Sequence, residues 1–153
     1  MDGFSVVTLD DAATNTTLEG LRAGRAMVLD FWHTKCVRCP AALDKLNESA
    51  ARGDGEVVFV ACALSQGTGS FEMAKEMIAG NWENMAHVFM EMDVKENAKA
   101  AFGFSAVPFV VVVDKSGAVI GQGDPKLVDY SELLSKPQAP TGRSPDLVLD
   151  EDF

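Results

Sequence analysis

The stretch EVVFVACAL, residues 56–64, constrains the fold of this chain more than any other. From Val57 on it is apolar and rich in β-branched residues without a break, whereas a strand with one face in water alternates apolar and polar side chains. Such a run reads as a central strand, buried on both faces of a sheet. A second run of strand length, AMVLDFW (26–32), is interrupted only by Asp30. Between the two, CPAALDKLNESAARG (39–53) repeats Ala42, Leu43, Leu46 and Ala50 at helical spacing and stops at Gly53.

The alternation continues along the chain. FSVVTL (4–9) reads as a short strand, and TNTTLEGLRAG (14–24) as a short helix ending in Gly. SQGTGS (65–70) is a loop, and FEMAKEMIAGNW (71–82) is amphipathic, with Phe71, Ala74, Met77 and Ile78 on one face. MAHVFMEMD (85–93) holds a short strand and KENAKAAFGF (95–104) a short helix. VPFVVVVDKSGAVIGQG (107–123) reads as a hairpin turning at 114–117, and PKLVDYSELLSK (125–136) as a helix opened by Pro125. This order implies an α/β protein: a central sheet with helices on both faces, made mixed by the closing hairpin. With 153 residues, no internal repeat and no second core, one domain is expected over 1–136. Residues 137–153, rich in Pro and acidic residues, read as a mobile acidic tail.

The net charge of −10 argues against nucleic acid and anionic membrane surfaces as partners. No segment approaches the roughly 20 apolar residues of a membrane-spanning helix. The N-terminus lacks the basic and apolar regions of a signal peptide, so a cytoplasmic protein is expected. Three cysteines are too few for a disulfide framework, and in a reducing compartment a close pair is catalytic or metal-binding more often than structural.

That pair is Cys36 and Cys39, in VLDFWHTKCVRCPAAL (28–43), where a strand runs into a helix. It could be a redox pair, half of a metal site or two neighbouring buried thiols. The first turn of a helix presents unpaired N–H groups and the positive end of its dipole, which lower a thiol's pKa below its free value of about 8.5. Cys36 is the better placed and the candidate nucleophile; Cys39, one turn inward, is the candidate resolving thiol. Lys35 and Arg38 are cations in the same loop, either supporting a Cys36 thiolate or facing solvent as plain charges. With only His33 and His87 in the chain, a four-ligand zinc site would have to borrow ligands, so no metal is expected.

These residues together resemble the thioredoxin-fold family. A strand ending in Phe31-Trp32 leads to Cys-x-x-Cys at a helix start; Asp30, six residues before Cys36, matches the family's buried acid; Trp32 matches the aromatic beside the active site; VPF (107–109) matches the cis-proline loop. The resemblance covers about residues 4–136. The surplus helix-strand piece at about 71–91 is similar to the TlpA, tryparedoxin and nucleoredoxin branch. Lys35 stands where family members usually carry an aromatic, and Val37-Arg38 replaces the usual dipeptides that tune potential and partner fit.

The resemblance implies thiol–disulfide exchange with Cys36 as nucleophile, Cys39 as resolving thiol and Asp30, its pKa raised by burial, as proton acceptor. It implies no cofactor beyond a redox-active Cys36–Cys39 disulfide. Trp32, Val37, Arg38, Val107 and Pro108 are the implied substrate surface, with Val107 backbone groups free for strand-like pairing. The expected partners are disulfide-containing proteins and an electron donor, either a thioredoxin reductase or a small thiol such as glutathione or trypanothione; the expected state is a monomer. The leading reading is a protein-disulfide reductase. The alternative keeps the fold as a redox-inactive or slow scaffold that binds partners. Cys62 reads as a buried inert thiol, Phe104 and Phe109 as core, and the Met-rich run (Met73, Met77, Met85, Met90, Met92) as core filling.

Overall fold

The computed structural model describes residues 3–53 and 55–135; the acidic-tail reading for 137–153 lies outside the described residues. Among the described residues the elements run β1 (Ser5–Thr8), β2 (Asn15–Thr17), α1 (Leu18–Arg22), β3 (Ala26–Trp32), α2 (Cys39–Arg52), β4 (Val57–Leu64), α3 (Ser70–Ile78), β5 (Ala86–Met90), α4 (Met92–Phe102), β6 (Phe109–Val113), β7 (Val119–Gly123) and α5 (Tyr130–Ser135). The strands form one sheet in the order β2-β1-β5-β4-β3-β6-β7. β3, β4 and β5 are parallel, and the flanking pairings are antiparallel. The mixed α/β architecture read from the sequence is therefore the observed one. The surplus helix-strand piece is α3 and β5, and β5 lies between β1 and β4.

The two apolar runs occupy the middle of the sheet. β3 is buried at all seven positions, and β4 from Phe59 to Leu64. Alternate side chains go to opposite faces, which builds two cores. Met27, Leu29, Phe31, Val60, Cys62 and Val111 pack with Leu18 of α1 and Ala98 and Phe102 of α4. Val28, Trp32, Phe59, Ala61 and Val110 pack with Cys39, Leu43 and Leu46 of α2 and Ala74 of α3. Leu43 and Leu46, at most 2% exposed, anchor α2 to the sheet; full burial of such a side chain contributes roughly 1.5–3 kcal/mol.

Four segments depart from their sequence reading. The helix expected over 14–24 is shorter, because Asn15–Thr17 pairs with β1 as a strand and the Thr17 side chain then caps α1, accepting from Gly20 N at 3.0 Å. The helix expected over 71–82 ends at Ile78; Gly80 and Trp82 take left-handed φ values of 74° and 53°, which turns the Trp82 ring back toward Trp32. The helix expected over 95–104 starts at Met92, so that Val94 packs on the core from the first turn. The helix expected over 125–136 starts at Tyr130. Asp124 holds a separate turn, its Oδ1 accepting from Lys126 N and its carbonyl from Leu127 N and Val128 N. Asp129 then accepts from Glu132 N at 3.0 Å and serves as the helix cap. Two of the methionines read as core filling are instead exposed, Met73 at 50% and Met92 at 44%, while Met85 and Met90 are core.

Candidate active site

The site is assembled at the carboxyl edge of β3. Beyond Trp32 the chain tightens through two turns: Cys36 N donates to His33 O at 3.2 Å, and Cys39 N to Cys36 O at 3.4 Å. Pro40, which has no N–H to leave unpaired, lies in the first turn of α2. Arg38 precedes α2 without a side-chain cap. Cys36 and Cys39 form a disulfide with their Cα atoms 5.4 Å apart. Cys36 is half-buried and Cys39 completely buried, so only the first sulfur is open to a partner.

The register explains how a segment 71 residues beyond Cys36 reaches this edge. β6 runs antiparallel to β3 with Phe109 opposite Phe31, so Val107 and Pro108 arrive beside the end of β3. The Val107–Pro108 bond is cis. Val107 O lies 3.6 Å from Cys36 Sγ, a contact and not a hydrogen bond, since a disulfide sulfur carries no proton. Phe104 and Phe109 stack on each other behind the loop, Phe104 buried and Phe109 half-buried against the same core.

Asp30 lies between Val28 and Trp32 on the strand and shares their face, which also holds Cys39. It is wholly buried, and neither carboxylate oxygen has a hydrogen-bond partner among the described residues. Desolvation therefore pushes its pKa well above the usual carboxylate range. His33 moves the other way: burial and the nearby Lys95 favour the neutral ring. Its Nδ1 accepts from Lys35 N at 3.2 Å, leaving the proton on Nε2.

Trp32 requires a correction. Its side chain is entirely buried, so it forms no part of a substrate surface. The parity of β3 turns it under α2, where it packs edge-on against Trp82 with centroids 6.2 Å apart. Val37, in contrast, is 92% exposed. Arg38 reaches across to Asp124 in a 3.2 Å ion pair, and Lys35 is exposed. A groove of about 430 Å³ starts at Val37, Arg38 and Pro108 and continues between α2 and the turn at Asp124–Lys126. A cavity of about 110 Å³ lies on the other side of Val107, between His33, Lys95 and Lys99.

Asp124 had no signal in the sequence, and Trp82 only an indirect one. Asp124 stands 86 residues from Arg38. Trp82 lies in a loop, yet its Nε1 donates to Asp44 Oδ1 of α2 at 2.7 Å, tying the α3–β5 connection to the active-site helix. Only the Gly80-Asn81 turn signal hinted that the chain reverses there.

The sequence of residues 24–119 matches the family model described as thioredoxin-like. No curated protein matches the chain significantly. Among solved structures, the thioredoxin domain of a thiol-disulfide oxidoreductase from Bacteroides vulgatus is similar with a TM-score of 0.65 at 16% identity, over 80% of this chain and 85% of that one. The pneumococcal exposed lipoprotein thioredoxin from Streptococcus pneumoniae has a TM-score of 0.63 at 18% identity, over 79% and 87%. MTB dsbF, solved in mixed oxidized and reduced forms, has a TM-score of 0.64 at 24% identity, over 86% and 90%. At these identities the neighbours bear on the fold alone, whereas the family model spans most of the chain and includes both cysteines: the chain belongs to the thioredoxin-like family.

Proposed function

We propose that this chain is a thiol–disulfide oxidoreductase working as a protein-disulfide reductase. The observation that carries the reading is the asymmetry of the pair: a half-exposed Cys36 beside Val107 O and a fully buried Cys39 behind it. Cys36 thiolate attacks one sulfur of a partner disulfide. A Cys36–partner bond forms, the partner S–S bond breaks, and the departing thiolate takes a proton from water. Cys39, giving its proton directly or through water to Asp30 in those molecules whose carboxyl group is ionised, then attacks Cys36 Sγ. The Cys36–Cys39 bond forms, the mixed disulfide breaks, and the second partner thiolate is released and protonated. Two electrons pass from the protein dithiol to the partner.

Burial makes Asp30 a stronger base than a surface carboxylate, and its oxygens have no competing partner among the described residues. Val37, Arg38 and Val107 form the surface against which a partner strand lies, and Pro108, which is buried, lines only the start of the groove. The cycle closes with an electron donor, either a thioredoxin reductase or a small thiol that is itself oxidised to its disulfide. It needs no bound cofactor and no second copy of the chain, and it suits a reducing compartment such as the cytoplasm.

A redox titration against dithiol buffers, read by mass, tests the chemistry. A single two-electron transition near roughly −270 mV is the expected result, and a value near roughly −180 mV would move the reading to an isomerase or oxidant. Insulin-disulfide reduction tests the direction. A titration with no intramolecular disulfide at any poise would replace the enzyme with a partner-binding scaffold.

A further inference from the structure

The groove that opens beside the disulfide has a charge opposite to that of the chain. The protein carries −10, yet the groove's charged lining residues are Arg38, Lys45, Lys126 and a single acid, Asp124. The acid is already engaged: its Oδ2 pairs with Arg38, its Oδ1 accepts from Lys126 N, and these contacts hold its pKa below the usual range. Lys45 is exposed and has no ion pair among the described residues. Arg38 and Lys45 are seven residues apart, hence on one face of α2, and between them Ala41 and Ala42 leave the floor open. Lys126 faces them from the opposite bank, with Pro125 and Tyr130 supplying apolar wall.

We propose that this groove selects the substrate: it receives an acidic peptide segment flanking the partner's disulfide, with Lys45 and Lys126 meeting its carboxylates while the partner sulfur lies at Cys36. The inference rests on the disulfide-exchange reading and names the substrate class for the same site. Charge complementarity acts chiefly on encounter, because field lines from a like-signed cleft steer an oppositely charged ligand, and it fades with salt. The rest of the acidic surface repels the same segment, which confines productive approach to this edge.

The test uses the reduced full chain and two fluorogenic peptide disulfides, identical except that the residues beside the cystine are Glu in one and Lys in the other. Neutral dithiodipyridine is the third substrate, and ratios are taken within each protein so that a general loss cancels. The acidic peptide is expected to show about tenfold higher kcat/KM at low ionic strength, with the gap closing as salt rises. In Lys45→Glu/Lys126→Glu the preference is expected to reverse. Should that variant fold poorly, Lys45→Gln/Lys126→Gln reads the same ratio, expected to fall to about threefold or less. Equal rates for the two peptides, or a ratio unmoved by the substitutions, would overturn the groove assignment while leaving exchange intact. Failure to reduce dithiodipyridine at all would instead remove the exchange reading, and this inference with it.

Discussion

The two faces of the sheet each bury one cysteine completely, Cys62 among the residues under α1 and α4 and Cys39 among those under α2 and α3. Residue type and burial are the same, and the chemistry open to each is not. Cys62 sits inside a strand among Phe31, Val60, Leu64 and Val88, with no second thiol nearby. Burial, followed by the charge of Asp30, pushes its thiol pKa far up, so it stays a protonated apolar side chain. Cys39 starts a helix, lies one turn from a half-exposed partner, and shares its face of the sheet with a carboxyl group that has no hydrogen-bond partner among the described residues. Burial alone therefore says nothing about whether a cysteine reacts. The neighbouring thiol, the helix start and the buried carboxyl group are what set Cys39 apart.

The largest expected effect breaks the comparison at its reactive end. Cys36→Ser should lower insulin reduction by on the order of 10³-fold or more, because the attacking thiolate is gone. Cys39→Ser should leave the attack and stop its resolution, so that a stable Cys36–partner adduct accumulates and is seen by intact mass. Persistence of normal turnover in either variant would remove the assigned roles.

Next in size is Asp30→Asn. Loss of the base should slow resolution of the mixed disulfide by about 10²-fold, measured by single-turnover quench. The same substitution should raise stability at neutral pH. The folded-state pKa of Asp30 lies above its usual 3.8, so from about that pH upward the unfolded chain loses a proton that the native protein retains. Stability from this group is full below the unfolded pKa and falls as pH rises toward the folded one. Thermal melts across pH should show that decline in the parent protein and a flatter profile in the variant. A variant that is both slower and less stable would instead mark Asp30 as a structural group.

Trp82→Ala sharpens the comparison from the packing side. It removes the ring that covers Trp32 and the bond to Asp44, with an expected loss of about 2–3 kcal/mol by denaturant titration. Trp32 should also gain solvent and shift its fluorescence to longer wavelength. The smallest effect is expected at Cys62→Ala: about 1 kcal/mol of stability and disulfide-exchange activity within about twofold. In the reduced native protein, alkylation should mark Cys36 first and leave Cys62 untouched until unfolding.

Much of this was legible from local patterns. β3 and β4 announce themselves because strands buried on both faces need continuous apolar side chains. α2 follows from Leu43 and Leu46 at helical spacing, and the pair at its head from two cysteines one turn apart. Each signal lies within a few residues, on the scale over which backbone preference and side-chain periodicity act. β2 was not legible, because three residues become a strand only through β1. Nor was the late start of α5, which depends on Asp124 forming its own turn.

By itself the sequence determined the layered α/β plan, the place of the cysteines at a strand–helix junction and the burial of an acid beside them, since all three follow from patterns within single elements and from the order of those elements along the chain. Only the tertiary structure decided that Trp32 is packed under α2 and not presented to partners, that Arg38 is held by Asp124, and that Lys45 and Lys126 face one groove. Those outcomes depend on strand register and on which helix covers which face. They join residues tens of positions apart, and pairings at that distance leave no periodic trace along the chain.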